Sequence, residues 1–416
     1  MALGPGQPAA FLRALGERDD FEGLEVFGAL LIEPFALFMR RGVRLRSGFF
    51  GPVERGLRDA GADVQFVPAD FRRFAAILAA MKPRVMVTAT APPDADGRLS
   101  LSLHAGATVE ALQDAGRDPE RLLIAEVNTS LPRTWGLPPD HPHSLALDEV
   151  DLLVESDVPP FALEDPPPSE TDRAIASHAH RFIRAGSTLQ TGIGSIPSEI
   201  AELLAADEGG DYGVHSEMFT DGLMRLHEAG KVTNQKGQYD GFSIATFAAG
   251  SRDLYEWLDG NEQVRFLPVE LVNSHATIAR NRQLVSINGA LAVDLYGQIA
   301  ADALHGRQYS GIGGHMDFVS SGSRSEGGRS LVCLPSTAGR SAPRVSRIVA
   351  ALSANTTVTT PRHEVDVVIT EHGAAELAGR TVGERAAALI EIAHPDFQDE
   401  LRLAWELQSG KSQIAR

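Results

Sequence analysis

The strongest constraint on the fold is a repeated alternation between short apolar, β-branched segments and segments with helical periodicity. In the first part of the chain, the strand-like segments are LEVFGALL, RLRSGFF, DVQFVPAD, RVMVTATAPP and RLLIAEVN. The helix-like segments between them are PAAFLRALGER, FRRFAAILAAM and GATVEALQDAG. Such alternation is typical of α/β layers built around a largely parallel sheet. The predicted fold class is therefore α/β.

The second part of the chain repeats the alternation, after an acidic, proline-rich cluster. Its strand-like segments are STLQTGIGS, YGVHSEMF, GFSIATFAAG, VRFLPVELVN, LVSINGALAVDLYG, SLVCLPS and VDVVITEHG, and its last helical segments are TVGERAAALIEIA and FQDELRLAWELQ. The cluster EDPPPSETDRA, residues 164–174, is typical of a linker, and Ser169 or Thr171 is expected to cap the following helix. A chain of 416 residues is long for one core. We predict two similar open α/β domains with largely parallel sheets, at residues 1–170 and 171–416.

Composition and charge argue against several classes of protein. A formal net charge of −17 argues against nucleic-acid binding, which depends on Lys and Arg side chains that neutralise phosphates. The sequence has no apolar stretch of about 20 residues that could span a membrane, and the opening MALGPGQPAAF lacks the features of a signal peptide. The single cysteine, Cys333, lies in an apolar run and is expected to be a buried thiol rather than a nucleophile. These features predict a cytoplasmic protein.

The segment LQTGIGSIPSEIAELL contains the first of two candidate ligand-binding loops. Gly192 and Gly194 follow a predicted strand, and Pro197 stands early in a predicted helix. Glycines at such a position let the backbone approach a ligand, and the helix amides point toward it. The dinucleotide-binding pattern fails because its third glycine would fall at position 197, and no Walker lysine follows. A ligand-binding loop and a plain strand-to-helix turn are both compatible with this pattern.

The second glycine-rich loop is SGIGGHMDF. Gly311, Gly313 and Gly314 crowd together there, whereas a tight turn needs only one or two glycines. Successive glycines allow positive φ and a nest of amides that can hold an oxyanion or a phosphate. Asp317 follows the loop and is expected to order it. This loop is a candidate oxyanion site.

Several polar residues are candidates for chemistry or binding. Glu217, in YGVHSEMFTDG, follows an apolar-polar alternation; the simplest alternative is a surface carboxylate near a helix N-terminus. Glu270, in PVELVN, is a rival nucleophile. His215 lies on the same predicted strand face as Glu217 and either tunes its carboxylate or is a core histidine. Glu126 and Asn128 end a predicted strand, where they either contact an acceptor substrate at a domain interface or cap a turn.

Ten segments, in order along nearly the whole chain, resemble one family. They are TAPPDADGRLSLSL, AEVNTSLPRTWG, LQTGIGSIPSEIA, YGVHSEMFTDGLMRLHEAGKVTN, TFAAGSRDLYEWL, INGALAVDLYGQI, SGIGGHMDFVSSG, LPSTA, VVITEHGAAELAGRTVGERA and AHPDF. The chain resembles the class I CoA-transferases of the acetyl-CoA hydrolase/transferase family, and within it the 4-hydroxybutyrate CoA-transferase branch. The resemblance implies two α/β domains with the active site at their interface, and a homodimer or higher homo-oligomer.

The resemblance also implies roles for individual residues. Glu217 would be the covalent nucleophile, and Gly313 and Gly314 would help form the oxyanion site. A CoA-binding role would fall to Gly192, Ile193, Gly194, Ser195, Ile196, Asn273, Ala292, Gly311 and Gly314. Substrate-binding roles are expected for Gly4, Gly6, Glu126 and Asn128.

Two departures from the family pattern bear on these expectations. Family members carry an opening helix and strand before the GPG segment, whereas this chain begins almost at that segment. The first sheet is therefore expected to lack a strand, unless the start of the sequence has been assigned too late. Ala292 stands where relatives often carry Glu, which bears on the CoA or acyl contact there and not on the chemistry.

The chemistry implied is the transfer of CoA from an acyl-CoA to a small carboxylic acid, by a ping-pong route through a glutamyl-CoA thioester on Glu217. A carboxylate can attack a thioester and then leave again, which divides the exchange into easier steps. No metal is expected, because no HExxH or CxxC spacing occurs. The alternatives are an acyl-CoA hydrolase with the same intermediate and a catalytically inactive CoA- or metabolite-binding module. The failed dinucleotide pattern disfavours an oxidoreductase.

Overall fold

The structure is a computed structural model that describes residues 1–104, 106–339 and 343–410. The first part of the chain contains strands that alternate with helices. The strands are β1 (Leu24–Gly28), β2 (Val43–Ser47), β3 (Val64–Phe66), β4 (Val85–Thr90), β5 (Arg98–Ser100), β6 (Leu122–Asn128), β7 (Ser144–Ala146) and β8 (Leu152–Ser156). The helices are α1 (Ala9–Leu15), α2 (Pro52–Asp59), α3 (Phe74–Met81) and α4 (Val109–Arg117).

Parallel pairing dominates this first part. The strands β1, β2 and β3 form one parallel sheet, and β4, β6 and β8 form another. The short pair β5 and β7 is antiparallel. Val85 pairs with Leu122 at the start of the β4–β6 register, and Thr90 pairs with Val127 at its end. Most of β4 and β6 is buried, as expected for parallel strands covered on both faces.

The second part contains the longer sheet. Its strands are β9 (Thr188–Gln190), β10 (Gly213–Val214), β11 (Met218–Phe219), β12 (Ser243–Ala245), β13 (Phe247–Ala248), β14 (Val264–Phe266), β15 (Leu284–Gly289), β16 (Ala292–Asp294), β17 (Ile299–Ala300), β18 (Ala303–Leu304), β19 (Arg307–Gln308), β20 (Arg329–Cys333), β21 (Thr337–Ala338), β22 (Val345–Ser346), β23 (Ile348–Val349), β24 (Val367–Thr370) and β25 (Gly373–Glu376). Its helices are α5 (Glu170–His180), α6 (Ser195–Ala206), α7 (Asp221–Glu228), α8 (Arg252–Leu258), α9 (Val269–Val272), α10 (His275–Arg280), α11 (His315–Gly322), α12 (Val382–Glu391) and α13 (Pro395–Gln408).

The main sheet of the second part has the strand order β10-β9-β15-β20-β24-β25. All its pairs are parallel except β24 with β25. Its inner strands are apolar and buried, which confirms the α/β class and the largely parallel pairing. Cys333 is buried in β20, and this burial raises the pKa of its thiol to about 12. Cys333 is therefore a structural thiol, as predicted.

Side chains from the two parts of the chain share hydrophobic clusters. Phe247 and Val269 pack in one cluster with Phe27 and Phe74 of the first part. Such shared clusters hold the two parts against each other by burial of apolar surface. The division into domains at residue 170 stays a prediction. The predicted cap at the end of the linker is confirmed, because the Ser169 hydroxyl accepts from the Asp172 amide in a capping box that opens α5.

Some segments differ from their sequence-based predictions. YGVHSEMF forms two short strands, β10 and β11, with a bend at Glu217 between them. The prediction that His215 shares a strand face with Glu217 is therefore wrong. VRFLPVELVN forms β14 and then the helix α9, because Pro268 precedes the helix and ends the strand pairing. Glu270 consequently lies in the first turn of a helix and not on a strand.

Candidate active site

Glu217 stands at the bend between β10 and β11, and backbone hydrogen bonds hold its peptide group. Its carbonyl accepts from the amides of Thr246 (2.9 Å) and Phe247 (3.3 Å), and the Ser216 amide donates to the Ile244 carbonyl (3.0 Å). The strand β11 that follows pairs in parallel with β13. These bonds fix the backbone from which the partly buried Glu217 side chain projects.

The two carboxylate oxygens of Glu217 have different surroundings. Asn273 Nδ2 donates to Oε2 at 2.6 Å. Within the described part of the chain, Oε1 has no hydrogen-bond donor. Burial raises the pKa of Glu217 to about 8; the Asn273 hydrogen bond opposes this shift, and the nearby Asp317 carboxylate adds to it. One oxygen is therefore oriented by Asn273, and the other accepts no hydrogen bond from the described residues.

Asp317 is a second buried carboxylate, in the first turn of α11, and its side chain is 0% exposed. It accepts from Asn273 Nδ2 at 3.3 Å and from Arg72 Nε at 2.5 Å, and His275 Nε2 lies 3.4 Å away. Burial raises the pKa of Asp317 to about 7, and the Arg72 guanidinium opposes this rise. The Asn273 amide thus stands between two carboxylates, which fixes its NH₂ group toward Glu217.

His275 extends this network to the surface. Its Nδ1 faces Arg324 Nη1 at 3.2 Å, so Nδ1 is the acceptor and Nε2 carries the hydrogen that points at Asp317. Burial, together with the Arg72 and Arg324 charges, lowers the pKa of His275, which favours this neutral form. A surface cavity of about 480 Å³ opens here, lined by Arg72, Glu270, Ser274, His275, Ala276 and Arg324.

The loop SGIGG packs against the Glu217 carboxylate. A Cβ on Gly314 would lie 2.1 Å from Glu217 Oε2 and 2.6 Å from Asn273 Nδ2, so only glycine fits there. Gly313 has φ +56°, which favours glycine, and its carbonyl accepts from the Phe71 amide at 3.0 Å. The structure therefore brings Glu217, Asn273, Gly313 and Gly314 together, as the resemblance implied.

The other glycine loop, at residues 192–196, is open. A Cβ on Gly192 or Gly194 would meet no atom within 4 Å, and Ile193 is 43% exposed. The Gly194 amide donates to the Asp165 carboxylate at 2.8 Å, and Ser195 begins α6. No hydrogen bond among the described residues joins this loop to Glu217, and its role in binding CoA stays a prediction.

Gly4 and Gly6 make no hydrogen bond to Glu217 among the described residues. The Gly4 amide donates to Ala29 (3.1 Å) and the Gly6 amide to Leu3 (3.1 Å), so neither is available to a substrate in this conformation. A Cβ on Gly4 would lie 3.6 Å from His104, which stacks on Phe247, whose amide donates to the Glu217 carbonyl. Their substrate-binding roles stay predictions.

Glu126 and Asn128 belong to a different cavity. Glu126 Oε2 accepts from the Phe11 amide at 2.9 Å, and Asn128 Nδ2 donates to the Val158 carbonyl at 2.8 Å. Both line a cavity of about 90 Å³. Ala292 is buried at the start of β16, where it pairs with Ala300. These residues make no described contact with Glu217, and their roles stay untested.

The rival candidates are explained by their own contacts. His215 is fully buried, and one of its ring nitrogens, Nε2, bonds to the Val272 carbonyl at 2.8 Å. Burial lowers the pKa of His215 to about 4, so it is a neutral core residue near neutral pH. Glu270 lines the surface cavity, and burial raises its pKa to about 7, with a further contribution from Glu110.

Three residues of the first part complete the site and were not predicted from the sequence. Arg72 bonds to Asp317, Phe71 bonds to the Gly313 carbonyl, and Phe49 packs on the SGIGG loop. They occur in FRRFAAIL and SGFF, which look like ordinary core segments. They belong to the site only because the first and second parts of the chain pack against each other.

Comparison with known proteins agrees with this geometry. Residues 250–404 match the family model "Acetyl-CoA hydrolase/transferase C-terminal domain". The chain is 34% identical to the 4-hydroxybutyrate coenzyme A transferase of Clostridium kluyveri, covering 95% of this chain and 90% of that one. It is 36% identical to the succinyl-CoA:cyclohexane-1-carboxylate CoA transferase of Geobacter metallireducens, covering 95% and 88%. The crystal structure of RipA from Yersinia pestis has a TM-score of 0.89 at 32% identity, covering 98% and 93%.

The chain therefore belongs to the acetyl-CoA hydrolase/transferase family, and it is an enzyme of the CoA-transferase class. In the part of the chain that the structure describes, no helix has the length and apolar character needed to cross a membrane. Across residues 1–104, 106–339 and 343–410, no three His, Cys, Asp or Glu side chains group in a way that could hold a metal ion.

Proposed function

We propose that this enzyme transfers CoA from an acyl-CoA to a small carboxylic acid, with Glu217 as the covalent nucleophile. The observation that carries the proposal is the asymmetric carboxylate of Glu217: Asn273 holds Oε2, Oε1 is free, and glycines 313 and 314 line its side. Covalent catalysis needs a nucleophile with a fixed direction and one free atom. Such catalysis also needs hydrogen-bond donors close to the reacting group, because they stabilise the negative charge that develops there.

CoA transfer proceeds in two half-reactions, each with two steps. Glu217 Oε1 attacks the thioester carbonyl carbon of the acyl-CoA, the C–S bond breaks, and CoA leaves as a thiolate with its electron pair. The thiolate then attacks Cδ of Glu217 in the mixed anhydride, which releases the first acid as a carboxylate and leaves a glutamyl-CoA thioester. The acceptor carboxylate repeats the two steps in the opposite sense and restores Glu217. No net proton or electron is exchanged.

Each step passes through a tetrahedral oxyanion that needs hydrogen-bond donors. Asn273 Nδ2 already stands 2.6 Å from Oε2, where the oxyanion forms when the thiolate attacks Glu217 Cδ. The amides of Gly313 and Gly314 are the candidate donors for the oxyanion on the acyl side. A well-placed donor of this kind lowers the activation barrier by about 3–4 kcal/mol.

The raised pKa of Glu217 predicts how the rate of the first half-reaction depends on pH. In the free enzyme, burial holds this carboxyl in its protonated form at neutral pH. Attack requires the carboxylate, so the pH dependence of the first half-reaction reports the Glu217 pKa of the free enzyme. The 192–196 loop is proposed to bind CoA. A cytoplasmic location and a homo-oligomer are proposals that rest on composition and on the family.

The test is a transfer assay with butyryl-CoA as donor and acetate as acceptor, in which acetyl-CoA and free thiol are both measured. We expect acetyl-CoA to form, with a loss of at least about 10³-fold in Glu217→Gln. Glu270→Gln is the matched control, because this carboxyl also has a raised pKa but makes no described hydrogen bond to Glu217, Asn273 or Asp317, and it should retain transfer.

Other outcomes assign other functions. Free thiol that accumulates without acetyl-CoA would contradict transfer and favour hydrolysis through the same intermediate, because water then takes the place of the acid. Neither product with any acyl-CoA would favour the binding module. Transfer that survives in Glu217→Gln and is lost in Glu270→Gln would move the nucleophile to Glu270.

A further inference from the structure

Phe49 reaches the site from the loop between β2 and α2, and its backbone is held in place. The Ser47 hydroxyl donates to the Phe49 carbonyl at 2.6 Å and accepts from the Phe49 amide at 3.3 Å. The Gly48 amide donates to the Gly28 carbonyl at 3.0 Å. The loop, and with it the Phe49 backbone, is thereby fixed to the end of β2.

This loop touches the SGIGG loop of the second part directly. A Cβ on Gly311 would lie 2.7 Å from the Gly48 carbonyl oxygen and 2.8 Å from Phe49 Cδ2, so the contact requires glycine. The Arg55 guanidinium also donates to the Tyr309 carbonyl, which ties α2 to the segment before the SGIGG loop. The Phe49 ring therefore cannot retreat without moving the interface between the two parts of the chain.

The Phe49 ring and the free oxygen of Glu217 both lie beside Gly313. A Cβ on Gly313 would lie 3.6 Å from Glu217 Oε1 and 3.9 Å from Phe49 Cε2. Both atoms lie within 4 Å of one point, so they are less than 8 Å apart. Contact with the ring itself takes about 3.5–4 Å of that distance. Only a few carbon atoms can stand between them.

We propose that Phe49 closes the acyl side of the site and restricts the acyl group to short chains of about two to four carbons. The proposal rests on the function proposed above, in which Oε1 carries the acyl group in the anhydride. That acyl group extends from Oε1 past Gly313 toward the ring, whose apolar surface suits an aliphatic chain. A longer chain would have to displace a ring that the two loops hold.

The cavity around Glu126 and Asn128 is the rival location for the acyl group. Its lining is mostly apolar but includes Glu33 and Glu126, whose carboxylates an apolar chain would desolvate at a cost, and its volume is only about 90 Å³. Phe161 also lines this cavity and is 39% exposed. It offers a matched aromatic control, because truncation of Phe161 enlarges the rival cavity and leaves the Glu217 site unchanged.

The test measures kcat/KM for butyryl-, hexanoyl- and octanoyl-CoA with a constant acetate concentration; acetyl-CoA is left out because its exchange with acetate gives no net reaction. For the unmodified enzyme we expect a fall between butyryl- and hexanoyl-CoA. In Phe49→Ala, the kcat/KM for hexanoyl-CoA divided by that for butyryl-CoA should rise at least about tenfold, as expected when a wall of the pocket is removed. Phe49→Leu, which preserves more of the packing, should give a smaller rise. Phe161→Ala should follow the unmodified enzyme, and thermal melting shows that each variant is folded.

The outcomes separate this inference from the proposed function. Parallel chain-length profiles in the unmodified enzyme, Phe49→Ala and Phe49→Leu would overturn the role of Phe49 while transfer itself stands. Broadening in Phe161→Ala alone would place the acyl group in the Glu126 cavity and overturn it as well. An unmodified enzyme that exchanges CoA with none of the acyl-CoAs would contradict the proposed function, and the Phe49 inference with it.

Discussion

The two GIG segments of this protein share a sequence but have opposite surroundings. In the SGIGG loop, a side chain at Gly314 would overlap the Glu217 carboxylate and the Asn273 amide, and one at Gly311 would overlap Phe49. In the 192–196 loop, a Cβ on either glycine meets no atom within 4 Å. The Gly194 amide in that loop donates a hydrogen bond to the Asp165 carboxylate at 2.8 Å.

The difference separates two uses of glycine. The SGIGG loop needs glycine because the backbone must pass within contact distance of the carboxylate that we propose as nucleophile, so a substitution there should change the chemistry. The 192–196 loop has space for a side chain, and we propose that its glycines keep that space open for CoA to approach the helix amides of α6. A substitution there should change binding.

The largest expected effect is that of Gly314→Ala. The new Cβ overlaps Glu217 Oε2 and forces the carboxylate off the Asn273 amide. Small displacements of a reacting group and the loss of a donor can each cost about 10²-fold, and the two effects overlap at this one carboxylate, so we expect kcat to fall roughly 10³-fold. Gly383→Ala in α12 is the matched control, since its Cβ meets no atom within 4 Å and its activity should be unchanged. Equal losses in both variants would indicate that the Gly314 effect is not local.

Asn273→Ala tests the donor that distinguishes the closed loop. It removes the 2.6 Å hydrogen bond to Oε2 and leaves the glycines in place. We expect kcat to fall about 10²-fold with a smaller change in KM, because the donor acts on charge that develops during the reaction. A change confined to KM would instead make Asn273 a binding residue.

Asp317→Asn tests the electrostatics of the closed loop. The rate of thioester formation should rise with pH and level off above about pH 8, because the Glu217 carboxylate is the reactive form and its pKa is raised. Removal of the Asp317 negative charge, with Arg72 left in place, lowers the Glu217 pKa and should move the profile by roughly one unit to lower pH. Stopped-flow rates of thiol release across pH 5–10 measure the shift. Movement to higher pH would show that Asp317 does not repel the Glu217 carboxylate.

Gly192→Ala should have the smallest effect. The side chain fits the protein but enters the space proposed for CoA, so we expect KM for acyl-CoA to rise a few-fold while kcat changes less. Saturation curves of the variant and the unmodified enzyme separate the two constants. A loss in kcat as large as that of Gly314→Ala would remove the distinction between the loops.

The sequence predicted the parts of this fold that depend on local pattern. Buried strands such as β6, β20 and β24 each contain a run of apolar residues, and the Ser169 cap follows from local chemistry. The segment VRFLPVELVN was misassigned, because a short apolar run gives the same periodicity signal in a strand and in the brief helix α9. The local sequence does not predict the bend at Glu217. Backbone hydrogen bonds to distant residues hold it, from the Ser216 amide to Ile244 and from the Thr246 and Phe247 amides to the Glu217 carbonyl.

The site was predictable only in part for the same physical reason. Glu217, Asn273, Gly313 and Gly314 occur in motifs that resemble the family, and the structure brings them together. Arg72 and Phe49 come from the other part of the chain, and only long-range packing places them beside Asp317 and the SGIGG loop. The two similar GIG sequences gave no indication that one loop is closed and the other open.

The most direct test of the central claim is an intact-mass measurement of the enzyme after incubation with butyryl-CoA and no acceptor, followed by peptide mapping. We predict an adduct with the mass of CoA less water on the peptide that contains Glu217. It should disappear when acetate is added, and it should not form in Glu217→Gln. An adduct on the peptide that contains Glu270 or Cys333, or CoA transfer without any adduct, would contradict the account.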